Sequence, residues 1–322
     1  MDPSDPPVCL YVEVIAQLVW DAMPNFPLRL SVLIPTFNEE LNLPNCLASL
    51  RGWAENVWVI DSYSSDRTVE IAKEAGANVL QHIFDGYAQQ KNWALENAMF
   101  RGNWVLILDA DERVTPELAQ EICRIVQDDG NRFDGFYLNR KLIFYGKWIR
   151  HCGWYPSWNL RLFRHGSGRY EQRDVHEHFV LKGKVGYCRH DLIHEDLRDM
   201  SFWIAKHNRY SSLEAVELTR IRLGATQSEL PASIFGGSVE RKRFIKERIW
   251  PFIPGRAFLL FFYLYFFRLG FLDGRHGFVF CLMHAVFEQF TTAKMWELEH
   301  YKDGAVEGSI VSPKIFRSPQ NS

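Results

Sequence analysis

No C-x-x-C pair occurs among the six cysteines, Cys9, Cys46, Cys123, Cys152, Cys188 and Cys281, which stand singly along the chain. That scatter argues against a zinc site or a disulfide framework and fits a reducing compartment. Excess charge of one sign is missing as well. With 37 basic and 39 acidic residues the formal net charge is −2, so no global field recruits nucleic acid, and no nucleic-acid partner is expected. There is no internal repeat. Residues 1–29 lack the basic start and small-residue cleavage site of a signal peptide. Their apolar run is broken by Glu13 and is too short to span a bilayer. An N-terminal arm packed on the body is the expectation for this stretch.

What is present suits a globular enzyme. Over 322 residues, 47% hydrophobic and 24% charged, there is material for one large α/β domain and an appendage. From residue 30 to about 126, short β-rich runs alternate with helical patterns. LSVLIP, NVWVID, ANVLQ and NWVLILD read as strands. Residues 43–50, a segment capped by Ser65 or Asp66 that stops at Gly76, and 87–99 read as helices. Thr115-Pro116-Glu117 opens a further helix with a cap, a first-turn proline and an early acid. Strict alternation implies parallel strands joined by right-handed crossovers, hence a doubly wound sheet. In such sheets ligands bind beyond the carboxyl ends of the strands.

From 134 to about 188 the texture becomes mixed β, with DGFYLNRK, WNLRLFR, VHEHFV and KVGYC as strand candidates. Residues 200–223 read as one amphipathic helix. The expected division is an arm over 1–29 and a catalytic domain over 30–228, with a donor half 30–133 and an acceptor half 134–228. A basic, aromatic helical region over 229–301 and a disordered polar tail over 302–322 complete it.

Three strand ends carry polar clusters: Pro35-Thr36-Phe37-Asn38-Glu39-Glu40, Asp61-Ser62-Tyr63-Ser64-Ser65-Asp66 and Asp109-Ala110-Asp111-Glu112. Turns and caps explain any one of them. Three in succession on one sheet edge point to a ligand. Two carboxylates on one short turn supply hard oxygens for Mg2+ or Mn2+, which can hold a diphosphate and neutralise it as it leaves.

LSVLIPTFNEE, VIDSYSSDRT, AQQKNWAL and LILDADER, in that order, resemble family-2 glycosyltransferases with the GT-A fold. The resemblance covers roughly 30–223. It implies a doubly wound, mostly parallel sheet with a mixed-β acceptor region, to which the sequence adds the expectation of a helical, membrane-associated C-terminal tail. It implies that Pro35, Asn38 and Glu39 line the nucleotide pocket and that Asp61 accepts from the ring N–H of a uracil. Lys91 would face the donor, although by residue type it reads equally as an exposed helix lysine. Asp109 would contact the ribose or the metal, and Asp111 the metal.

An inverting transfer needs a carboxylate that deprotonates the acceptor hydroxyl. In RDVHEHF the resemblance favours Glu177, with Asp174 as the alternative. A histidine downstream serves some relatives as a further metal ligand; His194 in LIHED fits, with His176 as rival. Arg161 and Arg164 could meet a phosphorylated acceptor, although arginines that flank a strand are usually solvated.

Arg241, Lys242, Arg243, Lys246 and Arg248 precede an aromatic-rich stretch whose apolar core, 257–267, is short for a span. An interfacial anchor on an anionic membrane surface is expected, or a bent hairpin into one leaflet, since 278–290 supplies a second apolar run. RLGFLDGRHG resembles the C-terminal region of bacterial lipopolysaccharide-core β-1,4-glucosyltransferases. The expected activity is transfer of a sugar, with glucose as candidate, from a UDP-sugar to a lipid-linked glycan such as lipopolysaccharide core. The expected location is the cytoplasmic face of the inner membrane, peripheral or monotopic. Transfer to polyprenyl phosphate and a catalytically silent sugar-nucleotide-binding protein are the alternatives.

Overall fold

The computed structural model describes residues 29–128, 132–171, 179–223 and 249–300. Two compact units are present. One takes in the chain up to Trp148 together with Trp154–Leu197; the other is formed by Ile149–Gly153 and the chain from Arg198 onward.

The first unit is built on a nine-stranded sheet. Its first half alternates as expected: β1 (Leu30–Thr36), α1 (Leu43–Ala48), β2 (Asn56–Asp61), α2 (Thr68–Glu74), β3 (Asn78–Gln81), α3 (Tyr87–Asn97) and β4 (Trp104–Ile107). Strands β3, β2, β1 and β4 lie side by side and parallel, with Thr36 opposite Asp61 and Leu33 opposite Ile107. The three polar clusters therefore leave the sheet on the same edge. Alternation along each strand sends residues to two cores. Val32, Ile34, Val59 and Leu106 pack with Leu43 and Leu47 of α1. Leu33, Ile60 and Ile107 pack on the other face with Ala88 and Ala94 of α3. Burial on both faces explains why these strands read as near-continuous apolar runs.

The second half is mixed, as its texture predicts. After β5 (Glu112–Val114) and α4 (Pro116–Gln127) come β6 (Gly135–Phe144), β7 (Lys147–Trp148), β8 (Trp158–Arg164), β9 (Gly168–Tyr170), β10 (Phe179–Leu181) and β11 (Val185–His194). Strand β8 runs antiparallel between β4 and β6. Strand β11 is parallel to β6 and antiparallel to β5. The Thr115 side chain caps α4 by accepting from the Leu118 N–H at 3.3 Å. At α2 the capping carboxylate belongs to Asp66, which accepts from the Thr68 N–H at 3.0 Å.

In the second unit the expected helix is α5 (Met200–Arg222). It packs on α7 (Gly274–His300) through Ala215, Leu218 and Met295, and Arg222 pairs with Glu299 at 3.0 Å. The structure thus groups this helix with the C-terminal region rather than with the sheet, where the sequence had assigned it. Helix α6 (Arg256–Phe262) continues in a wider, π-helical turn to Phe267 and meets α7 through a short bend. Glycine is required at that bend. A Cβ on Gly277 would stand 2.0 Å from the Gly270 carbonyl oxygen, and one on Gly270 would stand 2.8 Å from the Cys281 Sγ.

Candidate active site at the strand ends

Asp61 closes β2 fully buried, and its carboxylate is held from several sides. The Ser64 N–H donates to it at 3.0 Å and Gln81 Nε2 at 3.0 Å, and the Ser64 hydroxyl bonds to its other oxygen. A buried carboxylate held by several hydrogen-bond donors is an acceptor at a fixed position. Across the gap, the loop after β1 is stitched to the loop after β2. The Asn38 N–H donates to Ser64 Oγ at 2.8 Å, the Ser65 N–H to Asn38 Oδ1 at 2.8 Å, and the Glu39 N–H to Thr68 Oγ1 at 2.7 Å. Asn38 takes a positive φ of 53°, a conformation its short amide side chain tolerates. Pro35 lies half-buried within β1, opposite Ile60.

Asn42, just after Glu39, links the β1 loop to the segment beyond β11. Its amide donates to Glu39 Oε2 at 2.8 Å and to Asp196 Oδ1 at 3.1 Å, while its oxygen accepts from the Leu197 N–H at 2.9 Å. The end of β11 is thereby drawn to the donor edge.

The turn after β4 carries most of the charge. Asp109 forms a bidentate contact with Arg161 of β8 and lies 4.0 Å from Lys91 Nζ of α3. Burial alone would raise the Asp109 carboxyl, but Arg161 and Lys91 outweigh it and hold it well below the usual carboxylate range. Lys91 is buried and sits over the Tyr170 ring at 5.0 Å, so it is not the solvated helix lysine that its residue type allows. Glu112 is fully buried on β5. It accepts from Arg161 at 2.6 Å and from the Asp109 N–H at 2.9 Å, with Arg140 of β6 3.6 Å away. Arg161 is accordingly a buried cation bracing two acids rather than a solvated strand flank.

Asp111, two residues on, turns to His194 at the end of β11, with 3.3 Å between Oδ2 and Nε2. Burial would lower the imidazole, but Asp111 beside it raises it above its ordinary value. The strand pairing makes this meeting necessary, since His194 lies opposite Glu112 and the Glu195 N–H donates to the Asp111 carbonyl at 2.9 Å.

Among the described residues, no three His, Cys, Asp or Glu side chains gather to enclose a cation by themselves. Asp111 and His194 are nevertheless two adjacent oxygen and nitrogen donors on rigid strand ends. A set that small fits a divalent cation shared with substrate phosphates, the mode in which Mg2+ binds through one or two carboxylates. Asp109, engaged by two cations, is placed to position the turn.

The structure thus brings Pro35, Asn38, Glu39, Asp61, Lys91, Asp109, Asp111 and His194 to one edge of one sheet. Glu177, Asp174 and His176 lie outside the described residues. The sequence does not single out Arg140, Gln81 or the bridging pair Asn42 and Asp196, and it shows Glu112 only as the end of the acidic turn. Glu112 directly follows Asp111 at the start of β5, and that adjacency to the acidic turn is the local signal that could have flagged it.

A sequence model of glycosyl transferase family 2 matches residues 31–184. The lipopolysaccharide core biosynthesis glycosyltransferase LpsC of Rhizobium meliloti (strain 1021) is 31% identical over 284 residues, covering 84% of this chain and 93% of that protein. An uncharacterized glycosyltransferase of Rickettsia typhi is 26% identical over 280 residues, covering 84% and 87%. A crystal structure of S. aureus TarS 1-349 in complex with UDP-GlcNAc superposes with a TM-score of 0.42 at 14% identity, covering 84% of this chain and 91% of that one.

Proposed function

Because the chain belongs to glycosyl transferase family 2, we propose that it moves a sugar from a UDP-sugar to a lipid-linked glycan of the lipopolysaccharide-core class, with inversion. The observation that carries this reading is the meeting of Asp111 with His194 on the edge where Asp61 is also fixed. It pairs a candidate cation site with a candidate base-recognition site at the spacing of one sheet.

In this reading Asp61 accepts a hydrogen bond from the uracil ring N–H, with Pro35, Asn38 and Glu39 forming the wall of the nucleotide pocket. Lys91 and Arg161 set the positive side of the turn, where the diphosphate would lie. Asp111 and His194 would hold Mg2+ or Mn2+, whose bound charge neutralises the leaving nucleoside diphosphate. Glu177, or Asp174 in its place, takes the proton of the acceptor hydroxyl as that oxygen attacks the anomeric carbon from the face opposite the diphosphate. A single displacement of this kind turns an α-linked donor into a β-linked product. The lipopolysaccharide-core acceptor is supported by the similarity to LpsC over most of both chains. The proposed location is the cytoplasmic face of the inner membrane.

Turnover of UDP-sugars and GDP-sugars with a core-glycan acceptor, followed by release of the nucleotide, tests the reading. UDP-sugars should be consumed in the presence of Mn2+, and Glu177→Gln should abolish transfer while leaving donor affinity nearly intact, because the base acts on the acceptor. Full activity of the Gln variant would move the role to Asp174. Preference for GDP-sugars, or an α-linked product by NMR coupling, would overturn the assignment.

A further inference from the structure

The C-terminal unit presents an apolar surface of a particular shape. Along α6 and its π-helical extension, Phe258, Phe262 and Phe266 form one exposed row at intervals of four. Leu259, Tyr263 and Phe267 form the adjacent row, with Phe258 at 70% and Phe267 at 78% exposure. The same helix turns Arg256, Ala257 and Leu264 inward. It is an inverted amphipathic helix, with its large aromatic side chains on the solvent side and a buried arginine on the inner side. The bend continues the outward surface through Leu269, Phe271 and Leu272, and the first turns of α7 add Phe278, Val279 and Leu282. Soluble chains rarely leave a continuous apolar surface of this extent uncovered.

The inner side of the bend is polar and tied down. Asp273 is buried and accepts from the His151 N–H at 2.8 Å, and its other oxygen is 2.9 Å from His151 Nδ1. Further out, Arg256 pairs with Glu288 at 2.5 Å, and Phe261 meets Phe278 edge to face. The exposed aromatics are therefore held outward by a fixed framework and cannot fold in to cover themselves. Arg268 and Arg275, both exposed, stand at either side of the bend.

We propose that this elbow of α6, bend and α7 inserts into one leaflet of an anionic bilayer and does not cross it. Two features set the depth. The exposed apolar run on α7 ends at Leu282, about 12 Å from the helix start at Gly274 at a rise of 1.5 Å per residue, well short of the roughly 30 Å hydrocarbon thickness. Arg268 and Arg275, flanking the bend, extend their long side chains back toward the lipid phosphates and so limit how deep the bend can go. Among the described residues no single helix is long and apolar enough to cross a membrane, and the two limbs, Arg256–Phe267 and Gly270–His300, meet at a bend of 72°. In sequence, the basic cluster Arg241 to Arg248 adds charge of the same sign just before this region. The proposal deepens the reading of a lipid-linked acceptor, because a leaflet-inserted elbow would bring the enzyme to the surface where such an acceptor is held. Vesicle binding without nucleotide or metal tests it separately from catalysis.

The full chain is to be floated with vesicles of phosphatidylethanolamine and phosphatidylglycerol, and with vesicles of phosphatidylcholine alone. The comparison variant carries Phe262→Asp, Phe266→Asp and Phe267→Asp on the exposed rows, where substitution leaves the buried side untouched. Wild type should partition to the anionic vesicles and retain part of that binding in high salt, while the triple variant should lose about tenfold or more. Circular dichroism on the triple variant checks that its helices persist, and Arg268→Gln with Arg275→Gln supplies a second variant that should weaken binding to anionic vesicles only. A quencher-sensitive label at Phe267→Cys should report depth within one leaflet. Equal flotation of wild type and triple variant would overturn the proposal, as would a label reaching the far leaflet. A wild-type dimer that the triple variant dissociates would instead assign this surface to a second copy of the chain.

Discussion

Arg161 holds two acids that would otherwise face each other. Asp109 and Glu112 come from the same turn, and without a cation between them at least one would have to leave or take a proton. Arg161→Met should therefore destabilise the sheet unit by on the order of 3 kcal/mol, because it leaves buried charge unpaired. Urea denaturation checks this, and Arg161→Lys should recover part of the loss, restoring the charge without the two-pronged geometry. Asp61 gives a prediction of the opposite kind. Its carboxylate already has its local donors, so Asp61→Ala should cost UDP affinity about 1.5–3 kcal/mol through the lost bond to uracil, typical for a charged acceptor. Calorimetry with UDP and GDP reads it, and an unchanged UDP affinity would remove Asp61 from base recognition. Asp61, Asp109 and Asp111 were legible in the sequence because they end a buried apolar strand or stand in the turn that follows one. The pairing of Glu112 with Arg140 and Arg161 was not, since the antiparallel ladder that assembles them joins strands not adjacent in sequence.

At the level of elements, the donor half was legible almost strand by strand. Its periodicity is local, and its helices announce themselves through Asp66, Thr115 and Pro116. The acceptor half was harder. Strand β11 runs on to His194, well past the KVGYC pattern, because a register shift between Tyr187 and Asp191 lets it pair with β6 twice over. No local pattern encodes that. In the C-terminal unit, His284 of α7 lies among Trp203, His207 and Phe280. Burial, and secondarily His207, pushes its pKa down to about 3. A folded-state pKa below that of the unfolded chain means that the unfolded state binds the proton first as pH falls. Stability is thus full above the unfolded value of about 6.5 and drops progressively below it, down to about 3. Between pH 7 and pH 5 this group should cost about 2 kcal/mol, and His284→Gln should flatten that part of the profile. Urea midpoints measured across the range would show it; identical slopes for the two proteins would contradict it.

At the scale of the whole chain, the sequence points to one functional edge and one aromatic tail, while the second compact unit takes in Ile149–Gly153 and the chain from Arg198 onward. Helix α5, read from its stripe as part of the catalytic domain, makes its contacts with α7 because Ala215 and Leu218 meet Met295 there. A stripe shows that a helix has an apolar face but not which partner covers it. On the proposed function, Asp61, Asp111 and His194 together hold a uridine diphosphate and a divalent cation at this edge. Titration calorimetry of UDP into the full chain, in Mn2+ and then in EDTA, with Asp111→Asn alongside, tests that claim most directly. UDP should bind in Mn2+ and lose about tenfold or more in affinity in EDTA, and Asp111→Asn should show little of the metal's benefit, since a neutral amide is a poorer ligand for a hard cation. UDP binding of equal strength in Mn2+ and EDTA, or GDP binding more tightly than UDP, would contradict it.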